Sequence, residues 1–108
     1  MIFEELLLSL KNIPAEESRA ALPAYFEAVF TLEHMPAVRA SLEAYFGAAL
    51  KPAGVPASID AVKIAKAYGG IQTGQTLYAG SCAEGADRAF LWPWGNGLAV
   101  TVKVLREQ

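Results

Sequence analysis

Two rhythms of apolar residues run along this chain. Before residue 69 the spacing is close to 3.6. Phe3, Leu6, Leu7 and Leu10 fall at i, i+3, i+4 and i+7, one face of an α-helix that Pro14 closes. A second helix is predicted from about Ala15, with Glu16 and Glu17 in its first turn and an apolar stripe of Leu22, Phe26, Val29 and Phe30; Pro23 kinks or restarts it. His34-Met35-Pro36 breaks the pattern. A third helix follows over 36–50, with Val38, Leu42, Tyr45, Phe46 and Leu50 on one face. Lys51-Pro-Ala-Gly-Val-Pro56 reads as a loop. A fourth helix starts at the N-cap Ser58 and stops at Gly69-Gly70; Ile59, Val62, Ala65 and Tyr68 form its buried stripe, and Lys63 and Lys66 face away.

After residue 69 the period becomes two. Leu98, Val100, Val102 and Val104 alternate with Ala99, Thr101, Lys103 and Leu105, a half-buried strand. Arg88-Ala-Phe-Leu-Trp92 reads as its partner, joined through Gly95-Asn96-Gly97, and Thr76-Leu-Tyr-Ala79 as a third strand beyond a loop over 80–87. The expected fold is a single α+β domain over 1–108: four helices in 1–69, then a three-stranded antiparallel meander in 75–106. Residues 22–30 and 42–50 echo one another around Ala-Tyr-Phe, which predicts two helices packed antiparallel or across a dimer.

The 108 residues suit one domain, and 54% hydrophobic against 19% charged residues excludes a disordered chain. A net charge of −2 argues against nucleic-acid binding, and Lys63 with Lys66 is too little for a basic recognition helix. Residues 1–50 carry three basic against seven acidic side chains and residues 51–108 six against four, halves that could attract each other. The acidic start lacks the basic region of a signal peptide. The longest plausible apolar run, residues 44–50, has seven residues where a spanning helix needs roughly 20. A cytoplasmic protein without membrane contact is expected, its single cysteine reduced.

Candidate chemistry is thin. His34 stands alone at a helix end, where capping suffices and no metal partner lies at helical spacing. The glycines at 69, 70, 74, 80 and 85 follow a helix and precede a strand, the reverse of a phosphate loop. Glu84 and Asp87 read as solvated turn residues. No cofactor and no metal are expected. Phe90, Trp92 and Trp94 share one side of their strand, and the tip Pro93-Trp94-Gly95 is hard to bury.

These features predict a non-catalytic interaction or regulatory module, a homodimer formed through the edge of the final hairpin and its aromatic tip. The first alternative is a small-molecule site between helices and aromatic strand, walled by Tyr25, Tyr45, Tyr68 and Trp92. The second is a thiol enzyme using Cys82, with His34 as its base.

Overall fold

The computed structural model describes residues 1–107, and of Cys82 the backbone alone. Three helices and five strands follow in the order α1 (Phe3–Lys11), β1 (Glu17–Leu22), β2 (Tyr25–Thr31), α2 (Met35–Phe46), α3 (Ile59–Ala65), β3 (Thr76–Cys82), β4 (Gly85–Pro93) and β5 (Ala99–Glu107). The strands make one antiparallel sheet ordered β1-β2-β5-β4-β3.

This corrects the expected four helices and three-stranded meander. The stretch read as a second helix is the β1–β2 hairpin, with Pro23 and Ala24 as its two turn residues and Leu22 paired to Tyr25. Over Phe26–Phe30 the sequence satisfies both periods, because apolar residues occupy i, i+2, i+3 and i+4. Three features decide for strand. Pro23 supplies the fixed φ of a turn, the aromatic and β-branched residues 25, 26, 29, 30 and 31 favour extended chain, and β5 offers seven paired residues to β2. The same Ala-Tyr-Phe triplet opens a strand from the turn at 24–26 and is helix at 44–46, so the echo marks no helical pair.

The sheet has two covered faces of unequal kind. On one, Phe26, Ala28 and Phe30 of β2, Ala89 and Leu91 of β4, and Val100, Val102 and Val104 of β5 meet Phe3, Leu6, Leu7 and Leu10 of α1 and Met35, Val38 and Leu42 of α2. The alternate residues on the other face, Leu77, Phe90 and Leu105, meet Ala61 and Ala65 of α3. The expected start of the last strand moves by one residue: Leu98 lies in the turn, 68% exposed. The loop expected over 80–87 shrinks to Ala83 and Glu84, because β3 and β4 pair to Cys82 and Gly85. Gly85 has φ +144, and a Cβ there would lie 2.1 Å from the carbonyl oxygen of Glu107, so only glycine fits.

Candidate functional site: the sheet face beneath α3

α3 is built inside out. Ser58 caps it, accepting a bond from the Ala61 N–H at 3.2 Å. Its buried side chains are then the small ones, Ala61 and Ala65, while Ile59 is 75% and Val62 53% exposed. The expected buried stripe of Ile59 and Val62 is overturned. Ile64 and Tyr68 are partly buried and complete the contact, Tyr68 stacking on Phe90 with ring centroids 5.2 Å apart. Lys63 and Lys66 are exposed as expected, but they share their side of the helix with Ile59 and Val62.

The segment carrying α3 leaves the body after Lys51 and returns before Thr76, and Lys51 closes its neck. Its backbone exchanges bonds with Leu77 at 3.1 and 3.0 Å. Its ammonium, in a side chain 1% exposed, donates to the carbonyls of Pro52 (2.9 Å), Thr73 (2.6 Å) and Gln75 (2.6 Å). Gly54 N–H adds a bond to the Thr73 carbonyl at 2.8 Å. The three carbonyls match the three ammonium donors, and burial lowers the Lys51 pKa from its ordinary 10.5.

Beyond α3 the same face continues as a half-open floor. Trp92 lies 5.5 Å from the Phe90 ring, and the Lys103 ammonium sits 4.5 Å over the Trp92 ring and 5.9 Å over that of Tyr25. Glu27 gathers the polar ends: it accepts the Tyr25 hydroxyl bond and stands 3.9 Å from Lys103 and 3.4 Å from Arg19. The Tyr25 bond holds the Glu27 carboxyl below its ordinary range, and burial together with Glu27 pushes Tyr25 up to about 12. Trp94 folds back over this floor, its indole N–H donating to Thr101 Oγ1 at 2.9 Å.

Of the residues singled out by sequence, Tyr25, Tyr68 and Trp92 thus join one cluster, with Trp94 beside it. Tyr45 does not. It lies on the α1/α2 side, where its hydroxyl donates to Asp87, and Arg106 grips the same carboxylate at 2.6 and 3.0 Å. Asp87, expected in a solvated turn, is 2% exposed inside β4, and Arg106 stacks over Phe3 at 4.5 Å. Burial raises the Asp87 carboxyl, the bonds from Arg106 and Tyr45 more than offset it, and the net pKa is below 3.8; burial lifts Tyr45 to about 12. The signal was present: Arg106 continues the inward series Val100, Val102, Val104, and a cation there needs an anion. Among the described residues no three of His, Cys, Asp and Glu converge as metal ligands, and the Cys82 thiol falls outside them.

No family model, curated protein or solved structure matches the chain. Geometry therefore carries the functional reading. The described clefts are open grooves, among them one of about 420 Å³ against Val62, Lys66, Gly69, Gly70 and Ile71, on the exposed flank of α3. No helix is long and apolar enough to cross a membrane.

Proposed function

We propose that this chain is a non-catalytic, cytoplasmic interaction module that pairs with a second copy of itself through the outer face of α3 and the floor beside it. The observation that carries this reading is the inverted helix, alanines inward and Ile59 and Val62 outward. Strand addition at the final hairpin has no edge to use, since β4 and β5 both lie inside the sheet. Of the true edges, β1 is bulged at Arg19 and β3 is bridged by Lys51.

A second copy is the occupant because α3 is complementary to itself. Asp60 lies in its first turn and Lys63 with Lys66 toward its end, so two α3 helices laid antiparallel about a two-fold axis set unlike charges side by side. α3 alone is too small for a lasting interface of about 800 Å² per partner, and Tyr25, Trp94 and the exposed Leu22 on the neighbouring floor supply further area. Sedimentation velocity tests the reading: the wild type should dimerise at micromolar concentration, and the double substitution Ile59→Asp, Val62→Asp should weaken the dimer by about 100-fold. A wild type monomeric at high micromolar concentration sinks it.

A further inference from the structure

Two buried donors on β4 lack partners: Nε of Arg88 and Nε1 of Trp92. Alternation and register put both on the α3 side. Arg88 pairs with Leu105 and Trp92 with Thr101, and Phe90 between them packs against Tyr68. Arg88 Nη1 reaches only carbonyls, those of Gly80 at 3.2 Å and Asp87 at 3.0 Å. Among the described residues no carboxylate lies within ion-pair distance of Arg88, while Asp87 next to it in sequence is turned to Arg106 on the opposite face. A desolvated guanidinium N–H and a desolvated indole N–H without acceptors are each costly, and neither helps the fold as it stands. In native structures such groups are met by a water, an ion or a ligand that brings the acceptor.

We propose that the α3 segment is a strap over a ligand site, and that the site takes an elongated apolar carboxylate. The strap is separable: α3 touches the sheet with alanines, Ile64 and Tyr68, and Lys51 fixes both ends of the segment so that it can lift about its neck and return. Beneath it Leu77, Phe90, Leu105, Tyr25 and Trp92 form an aromatic and aliphatic floor. Arg88 supplies the anion contact, and the Trp92 N–H binds an acceptor at the other end of the ligand. The two lie four strand positions apart, about 13 Å, so a molecule that meets both is a fused-ring or chain compound with a carboxylate at one end and an oxygen at the other. Self-association uses the outer face of the same helix and shares with this site only the Tyr25 end of the floor.

The probe is 6-hydroxy-2-naphthoate, with uncharged 2-naphthol as its control, titrated calorimetrically into the full chain. Saturable binding of the naphthoate is expected, about 10-fold or more weaker in Arg88→Gln, with naphthol binding unchanged by that substitution. Arg88→Lys, which keeps the charge but loses the planar N–H, should fall between. Lys51→Met, which loosens the neck, should tighten apparent binding, because less of the affinity is lost to opening the strap. Repeating the titration in Ile59→Asp, Val62→Asp separates the two ideas, since ligand binding should survive there even if dimerisation does not. No saturable binding to either the wild type or Lys51→Met at millimolar probe overturns the proposal, as does equal affinity in folded Arg88→Gln.

Discussion

α1 and α3 cover opposite faces of one sheet and do so with opposite chemistry. α1 turns Phe3, Leu6, Leu7 and Leu10 inward and leaves Glu4 and Glu5 in water; α3 turns two alanines inward and leaves Ile59 and Val62 in water. Apolar burial stabilises by roughly 25 cal/mol per Å², so α1 commits Phe3, Leu6, Leu7 and Leu10 to the fold and leaves only Leu8 exposed, whereas α3 commits Ile64 in part and leaves Ile59 and Val62 out. What differs is the use of hydrophobic surface. On the α1/α2 face it is spent on folding, and on the α3 face it is left available for contact.

The contrast breaks first, and most heavily, at the ion pair under α1. Asp87→Ala removes the two bonds from Arg106 to Asp87 beneath Phe3 and Tyr45, and a loss of about 3–5 kcal/mol is expected in urea unfolding. The pH dependence has a definite sign. The folded pKa of Asp87 is below 3.8, so its contribution is complete above the unfolded value and fades as pH falls below about 3.8. Tyr45 is raised to about 12, so its contribution is present below pH 10 and is lost between about 10 and 12. Thermal melts across pH 2–12 should fall at both ends in wild type. In Asp87→Ala, a variant lacking the pair, the acid limb should flatten.

Leu6→Ala comes next, at about 2–5 kcal/mol, as expected for a fully buried leucine. Lys51→Met ranks third. It strips three carbonyls of their buried donor, costs about 1–3 kcal/mol, and concentrates its effect on hydrogen exchange between residues 52 and 75. The smallest stability effect belongs to Ile59→Asp, Val62→Asp, within about 0.5 kcal/mol of a monomeric reference. A loss there as large as that of Leu6→Ala would erase the distinction between the two faces.

The parts of this architecture with a single reading in sequence were legible. α1 has one periodicity and no competitor, Ser58 and Gly69 mark the ends of the α3 region by cap and left-handed turn, and β5 repeats Val100, Val102 and Val104 at period two. The β1–β2 hairpin was not, since residues 26–30 fit either period and the pairing with β5, added to the Pro23 turn and the β-favouring side chains, is needed to choose between them. The orientation of α3 was hidden for a related reason. Large side chains were assigned inward by default, whereas the shallow space over Leu77 and Phe90 admits alanine. Aromatic content gave part of one cluster: Tyr25, Tyr68 and Trp92 do assemble on the α3 face. Tyr45 was misplaced because its helix packs on the opposite face, and Lys51, Arg88 and Lys103 gave no signal, since polar side chains acquire a role only once register and neck geometry are set.

The most direct test is amide hydrogen exchange followed peptide by peptide at two protein concentrations. We expect residues 57–70 to exchange through local opening, far faster than residues 3–11, and to slow as concentration rises into the dimerising range. Equal and slow exchange of both helices, indifferent to concentration, would contradict a provisional, partner-seeking cover on the α3 face.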